Sequence, residues 1–214
     1  MTVLSNEFTE HNHLIEAAEY GRAITRDDLT NYLAPTTAPN LRWYAIKAVG
    51  VHRVNSLSQS VVDSLRIHDR FDEQQRLGRI AVWALCQIGD TSFNTAITFK
   101  FANSVETSAR LFAADLSGES RIPDLMPVAA SLMSDSDEEV VAWAALSLSK
   151  FGVAAVPFLK EIGSNAQSHS VRILAGDALR KVSHPIADTA LNDILDTLPG
   201  DQSFLLRESL NRVL

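Results

Sequence analysis

The sequence predicts an all-α fold, an α-solenoid in which antiparallel helix pairs stack one after another. First, a pattern of small and aliphatic residues recurs five times along the 214 residues. Second, the apolar residues within each copy follow the helical period of 3.6. Third, no segment shows the sustained polar–apolar alternation, flanked by hairpin turns, that predicts paired strands. Because one helix pair cannot bury its own apolar face, such pairs acquire a core by stacking.

Each copy of the pattern is marked by two adjacent residues, a small one followed by an aliphatic one, which we call the anchor pair. The anchor pairs begin at Ala48, Ala84, Asp115, Ser147 and Ala178, which are 36, 31, 32 and 31 residues apart. Mostly apolar residues also stand seven, four and three positions before each anchor pair. All these positions form one stripe on a helix, and the small residues on it allow a second helix to approach closely.

Residues 1–40 are predicted to form an N-terminal helical cap. Two short helical patterns lie in it, around His13–Tyr20 and Arg26–Leu33. The second pattern has Thr25 and Asp28 at the spacing of a capping box.

Residues 41–200 are predicted to form five repeats, each with a second apolar helix after its anchor helix. The repeats are expected at about residues 41–70, 76–104, 107–134, 138–164 and 169–198. The second helices are expected at about residues 58–69, 93–103, 122–133, 154–163 and 186–197. Gly89, Gly118 and Gly152 are expected to end anchor helices, because glycine adopts the left-handed conformation common at helix C-termini. Pro127 is expected to kink its helix.

The C-terminal residues 201–214 are predicted to form a capping helix over the last repeat. Terminal repeats must present a polar outer face, and irregular ends fit that need. We therefore expect one continuous domain with a cap at each end.

The repeats resemble the HEAT family, specifically the short HEAT-like repeats also found in phycobilisome-lyase proteins. The stretches Arg79–Asp90, Val140–Gly152 and Val171–Val182 carry the resemblance, which covers about residues 41–197. It implies an α–α superhelix, and it is weak evidence for function because repeat families perform many tasks on one scaffold. The third repeat departs most, since Asp115 occupies a slot that other repeats fill with a small residue.

Composition argues against several classes of protein. The formal net charge of −7 disfavours general binders of nucleic acids or anionic membranes, which need clustered Lys and Arg. A single cysteine, Cys86, excludes an internal disulfide and a multi-cysteine metal site. No apolar stretch approaches the roughly 18 residues of a membrane helix, and the N-terminus lacks the pattern of a secretory signal. We expect a cytoplasmic protein with no membrane partner.

The sequence contains none of the common motifs for catalysis. The sequence has no phosphate-binding glycine loop, nucleophile elbow or histidine pair at zinc-ligand spacing, so we predict no catalytic residue, metal site or cofactor. Asp115 is the candidate functional polar residue. The structural explanation is that Arg110, Arg121 or backbone donors satisfy its carboxylate, or that the site is open to solvent because the helix is locally displaced. The functional explanation is a recognition or catalytic group with a perturbed pKa.

Charge and aromatic residues indicate a surface for a protein partner. Residues 41–79 carry seven basic and four acidic residues, a net charge of +3, whereas residues 115–161 carry three and eight, a net charge of −5. Trp43 and Trp83 lie about 180° and 140° around their helices from the apolar stripe. Tryptophan and arginine dominate interface hot spots. The candidate partner-binding residues are Arg42, Trp43, Lys47, Arg76, Arg79 and Trp83. Solvated surface and packing between repeats are the alternative explanations.

The sequence therefore predicts a non-enzymatic repeat scaffold that binds another protein. The partner is expected either on the layer of second helices, which usually lines the concave side in this family, or at the aromatic and basic residues of repeats one and two. Resemblance to the phycobilisome-lyase repeats raises one alternative, a bilin-lyase-like subunit that acts on a partner protein. A HEAT-like DNA glycosylase is another, although that family's basic groove does not suit the acidic charge. Formation of a homodimer stays open.

Overall fold

Helices are the regular elements of the part of the chain that the structure describes. The structure is a computed structural model, and it describes residues 11–65 and 71–212. Of residues 71–74 it describes the backbone alone. No strand occurs in these ranges, and no helix in them is both long and apolar enough to cross a bilayer. The predicted all-α fold is therefore confirmed. The chain divides into two compact units, residues 1–94 and 95–214.

The described part of the first unit starts with two short helices, α1 (Asn12–Tyr20) and α2 (Arg26–Tyr32). The predicted cap of α2 is present, because the Thr25 hydroxyl oxygen accepts a hydrogen bond of 3.1 Å from the backbone N–H of Asp28. The same hydroxyl donates to the Asp28 carboxylate at 2.6 Å.

The core of this unit is a layer of three helices. Helix α3 (Pro39–Val51) lies in the middle, with α1 packed on one side and the long helix α5 (Phe71–Ile88) on the other. Between α3 and α5 the chain forms a 3₁₀ turn at Asn55–Leu57 and the short helix α4 (Ser58–Asp63), which packs on α5. Residues 66–69 of the predicted second helix lie outside the described residues.

Helix α6 (Thr91–Ala102) contains the boundary between the units, and seven helices follow in the second unit. They are α7 (Thr107–Ser120), α8 (Met126–Leu132), α9 (Glu138–Lys150), α10 (Val156–Asn165), α11 (His169–Val182), α12 (Pro185–Thr197) and α13 (Gly200–Arg212). Helices α7, α9, α11 and α13 pack in sequence as one layer, while α10 and α12 pack together in the other. This two-layer stacking of helix pairs is the arrangement of an α-solenoid.

Burial confirms that the anchor pairs lie on the buried stripe of their helices. Both residues of every anchor pair are buried in the core of their unit. The ten residues are Ala48, Val49, Ala84, Leu85, Asp115, Leu116, Ser147, Leu148, Ala178 and Leu179. The pattern of small and aliphatic residues therefore marks the positions where neighbouring helices meet.

Two glycines allow the anchor helices of successive repeats to approach closely. A Cβ on Gly50 would lie 2.8 Å from Ala84 Cα, and a Cβ on Gly118 would lie 2.6 Å from Ser147 Cα. Both distances are shorter than ordinary carbon–carbon contacts of about 3.5–4.0 Å. At the second contact the Ser147 hydroxyl also donates a hydrogen bond to the carbonyl of Ala114. In each case a glycine faces the first anchor residue of the next repeat.

Two sequence predictions about helix ends are wrong. Gly118 does not end its helix, because α7 continues to Ser120 and the left-handed residue is Arg121, with φ of +51°. Pro127 does not kink α8, because the helix begins at Met126 and the missing N–H of the proline falls in the first turn. The left-handed conformation predicted for Gly89 and Gly152 is present at both.

Candidate partner-binding surface

Exposed or partly exposed aromatic, aliphatic and basic side chains lie on the outer side of α1, α3 and α5. We call this surface the three-helix face. Its residues are Tyr20, Trp43, Lys47, Val51, Arg76, Arg79 and Trp83. Five of the six residues that the sequence predicts for partner binding belong to it. All of it lies within the first unit.

Trp43 holds two cations against its ring. Lys47 Nζ lies 5.3 Å from the ring centroid and Arg76 Cζ lies 5.4 Å from it. Tyr44 packs edge-on against the same indole, with the ring centroids 5.1 Å apart. Such cation–π contacts contribute about 0.5–1 kcal/mol each at exposed sites. Because Arg76 belongs to α5, the Trp43 ring joins α3 to α5 across the surface.

Lys47 also joins α3 to α1. Its Nζ lies 2.6 Å from a carboxylate oxygen of Glu19, and the two side chains are 23% and 37% exposed. An ion pair this exposed contributes about 0.2–1 kcal/mol. Lys47 is thus paired with Glu19. Arg76 and Arg79 are exposed on α5.

Three exposed residues with large apolar side chains lie toward the C-terminal ends of α1, α3 and α5. Tyr20 is 77% exposed, Val51 is 38% exposed and Trp83 is 36% exposed. A Cβ on Gly21, next to Tyr20, would lie 3.6 Å from Val51 Cγ1. Likewise a Cβ on Gly50, next to Val51, would lie 2.6 Å from Trp83 Cζ3. Val51 therefore lies beside Gly21, and Trp83 packs against Gly50 while part of its ring stays exposed.

Arg42 does not lie on the surface that the sequence predicts. Its side chain is 1% exposed, and its guanidinium Nη1 donates a hydrogen bond to the backbone carbonyl of Ser64. The helical period explains the burial, because Arg42 precedes the buried Ala45 by three positions and Val49 by seven. Arg42 stabilises the link between α3 and the end of α4.

Sequence reasoning missed Tyr20 and Val51 as surface residues. Tyr20 belongs to the segment interpreted as a cap, and Val51 follows the anchor pair of the first repeat. Neither carries a charge or a motif. For Tyr20 the available signal was the next residue, Gly21, the left-handed residue that ends α1. For Val51 it was the position four residues after Lys47, on the same side of α3.

Asp115 is buried and paired with a lysine of the next repeat. Its side chain is 11% exposed, and Oδ1 lies 3.8 Å from Lys150 Nζ. Lys150 also contacts the Glu119 carboxylate at 2.7 Å. The sequence offered Arg110, Arg121 or backbone donors as partners for Asp115, and the ion pair in the structure is with Lys150 on α9. These contacts support the structural explanation of Asp115.

Arg110 instead binds Asp135 in the loop before α9. Its Nε and Nη2 donate to the two carboxylate oxygens at 2.7 and 3.0 Å. Its Nη1 donates to the carbonyls of Ser104 and Val105 at 3.1 and 3.0 Å. This hydrogen bonding lowers the pKa of Asp135 and raises the pKa of Arg110. Arg110 therefore links the loop before α7 to the loop before α9 by hydrogen bonds.

A groove of about 430 Å³ lies beside the Asp115 ion pair. Its lining includes Arg121, Met126, Lys150 and Phe151. It thus presents two cations beside apolar side chains. No three His, Cys, Asp or Glu side chains of the described ranges are placed to hold a metal ion together.

Comparison with known proteins bears on the second unit above all. The family model of HEAT repeats matches residues 95–180. The matched stretch includes α7 to α10 and most of α6 and α11, where helix pairs stack on one another. No curated protein matches the chain.

Proposed function

Because the chain contains HEAT repeats, we propose that it is a non-enzymatic helical scaffold that binds a protein partner. The binding surface in this proposal is the three-helix face. The observation that carries it is that α3 and α5 present two tryptophans on this face: Trp83 is 36% exposed, and Trp43 holds two cations against its ring.

The chemistry of this face suits a protein interface. Trp, Tyr and Arg are enriched at interface hot spots, because they bury a large area and also form polar contacts. The face contains two tryptophans, one tyrosine and two exposed arginines. Its partly buried Trp43 is held in place by Lys47 and Arg76, so little side-chain entropy is lost when a partner covers it.

Affinity capture from native lysate tests this proposal. The wild-type chain is compared with a variant that carries Trp43→Ala and Arg79→Glu. The matched control carries Phe204→Ala and Arg207→Glu, which change the same kinds of exposed side chain on α13. We expect the face variant to lose the captured protein at least about tenfold while its thermal unfolding stays within a few degrees of wild type.

The control variant is expected to retain the partner. Undiminished capture by the face variant, or an equal loss from both variants, would contradict the proposed surface. Circular dichroism of each purified variant separates loss of binding from loss of fold.

We propose a structural role for Asp115 and Trp143, an aspartate and a tryptophan of the kinds that a HEAT-like DNA glycosylase would need. Asp115 is paired with Lys150, and Trp143 packs against the hydrophobic core of the second unit. No contact of the described residues favours bilin attachment. We therefore propose neither alternative.

A further inference from the structure

We propose that a groove of the second unit binds a short extended segment of a protein partner, in which one carboxylate lies two residues from a bulky apolar side chain. The groove lies where the turn after α7 meets the turn after α9, and we call it the Arg121 groove. It belongs to the second unit, whereas the three-helix face belongs to the first. The Arg121 groove therefore gives the scaffold a second binding surface, beyond the proposed function.

The size of the Arg121 groove determines the kind of segment that fits. Residues of both turns line it, among them Arg121, Pro123, Met126, Lys150, Phe151 and Ala154. Its volume is about 430 Å³. One turn of an α-helix with its side chains, about 10 Å wide and about 5.4 Å long, fills about 420 Å³. An extended segment that inserts two side chains therefore fits better than a helix does.

The charge of the lining favours an acidic segment. Its charged side chains are Arg121 and Lys150, which are both basic. Lys150 Nζ already contacts the Glu119 carboxylate at 2.7 Å and lies 3.8 Å from Asp115 Oδ1. Arg121 is exposed, and no carboxylate of the described residues forms an ion pair with it. A guanidinium can bind a carboxylate by two parallel hydrogen bonds, so Arg121 is the group that receives the acid.

Two neighbouring carboxylates limit the number of acids in the segment. Glu119 and Asp124 are exposed and lie within three residues of Arg121 in the sequence. Beyond direct contact their charges offset those of Arg121 and Lys150, so they disfavour a run of acidic residues. A single carboxylate in contact with Arg121 is therefore favoured over a polyacidic stretch.

The backbone at Arg121 suits glycine better than arginine. Its φ is +51°, whereas the left-handed residues after α5 and α9 are Gly89 and Gly152. The left-handed conformation is costly for a residue with a Cβ, and glycine avoids that cost. Backbone strain of this kind is concentrated at binding sites. An arginine at a position where glycine would stabilise the fold supports a role of its side chain in binding.

The apolar part of the lining receives the second side chain of the segment. Met126 and Phe151 are partly exposed, and Pro123 and Ala154 are exposed. Burial of apolar surface supplies affinity, and a flexible methionine adapts to the shape of its ligand. Side chains two residues apart lie on the same face of an extended segment. The apolar and the acidic side chain are therefore separated by one residue.

Titration of the isotope-labelled full chain with synthetic peptides, followed by NMR, tests this assignment. The probe is a peptide with blocked ends, in which phenylalanine and glutamate are separated by one serine and flanked by glycines. One comparison peptide has glutamine in place of the glutamate, and another has alanine in place of the phenylalanine. A polyacidic peptide has glutamates in place of the flanking glycines.

We expect saturable binding of the probe, at least about tenfold tighter than binding of the glutamine and alanine peptides. The polyacidic peptide should bind no more tightly than the probe. The backbone amides whose signals shift should lie at residues 119–126 and 150–155, which contain the lining of the groove.

Arg121→Gly should weaken binding of the probe about tenfold. It should not lower the Tm, because glycine accepts the left-handed conformation. Arg53→Gly is the matched control, since Arg53 is also exposed and has a φ of +50° but does not line the groove. This control should bind the probe as wild type does. Loss of binding by a variant that is no less stable than wild type cannot arise from unfolding.

The assignment is wrong if binding of the probe does not saturate, if the glutamine peptide binds equally, or if Arg121→Gly binds the probe as well as Arg53→Gly does. Signal shifts confined to the three-helix face would also contradict it. Affinity capture with the Trp43→Ala and Arg79→Glu variant tests that face separately, so the failure of one surface is distinguishable from the failure of the other.

Discussion

Replacing Gly50 with alanine tests whether successive anchor helices meet as closely as the structure shows. The added Cβ would lie 2.6 Å from Trp83 Cζ3, 2.8 Å from Ala84 Cα and 3.0 Å from Ala84 Cβ. Because one of these atoms is backbone, a change of rotamer cannot relieve the contact. Helix α5 would have to withdraw from α3 by about 1 Å to restore ordinary contact distances of about 3.5–4.0 Å.

The expected cost follows from two opposing effects. Overpacking of this kind destabilises a protein by about 1–3 kcal/mol. Alanine in a helix is about 1 kcal/mol more favourable than glycine, and this gain offsets part of the loss. We therefore expect Gly50→Ala to lower the free energy of unfolding by up to about 2 kcal/mol. For a chain of this size that corresponds to a fall in Tm of up to about 8 °C.

Gly78→Ala is the matched control. Gly78 lies in the interior of α5, and a Cβ there would have no heavy atom outside its own helix within 4 Å. The same substitution should therefore stabilise the protein by about 0.5–1 kcal/mol. Urea unfolding followed by circular dichroism measures both changes, and tryptophan fluorescence reports any displacement of Trp83. If Gly50→Ala stabilises the protein as much as Gly78→Ala does, the close approach of α3 and α5 is wrong.

Three further substitutions probe the second unit. Gly118→Ala should cost about 2 kcal/mol in thermal unfolding, since its Cβ would lie 2.6 Å from a backbone atom of α9; an unchanged Tm would contradict that contact. Asp135→Asn should cost about 2 kcal/mol at pH 7. The pKa of the Asp135 carboxyl is lower in the folded protein than its ordinary value of 3.8. The ion pair therefore stabilises the protein fully above pH 3.8, and this stabilisation is lost as the pH falls through the folded-state pKa. The difference in Tm from wild type should therefore shrink below pH 3.8, and a constant difference would refute the Arg110 ion pair as its cause. Lys150→Met should destabilise by about 1–3 kcal/mol by leaving the Asp115 carboxylate without its lysine, and adding Asp115→Asn should recover part of the loss in urea unfolding.

The helices and their buried sides could be predicted because both follow from local periodicity. A period of 3.6 residues determines which side chains share a stripe, and the anchor pairs were found on the buried stripe without any knowledge of neighbouring helices. Arg42 follows the same period, although its charge predicts an exposed position. It stands on the buried stripe of α3, yet its charge and its neighbour Trp43 led to its assignment to the surface.

Contacts between repeats could not be predicted in the same way. The pairing of Asp115 with Lys150, and of Gly118 with Ser147, depends on how far one anchor helix is displaced along the next. That displacement is determined by packing between helices, and no local pattern encodes it. For the same reason the prediction that Gly118 ends its helix was wrong. The absence of a side chain at Gly118 allows the backbone of α9 to pack against α7.

The three-helix face is an intermediate case. Helical angles placed Trp43 and Trp83 away from the core, and the sequence charge indicated basic surroundings. The sequence did not assign Tyr20 to this face, because the approach of Gly21 to Val51 depends on the packing of α1 against α3. A surface made of several helices can thus be only partly assembled from the pattern of each helix.

Hydroxyl-radical footprinting of the chain, alone and in complex with its captured partner, tests the central claim most directly. The claim is that the partner covers the three-helix face. We predict that Tyr20, Trp43 and Trp83 lose reactivity in the complex, while Phe204 on α13, which is 62% exposed, keeps its reactivity. Protection of Phe204 with unchanged reactivity at Trp83 and Tyr20 would contradict the account.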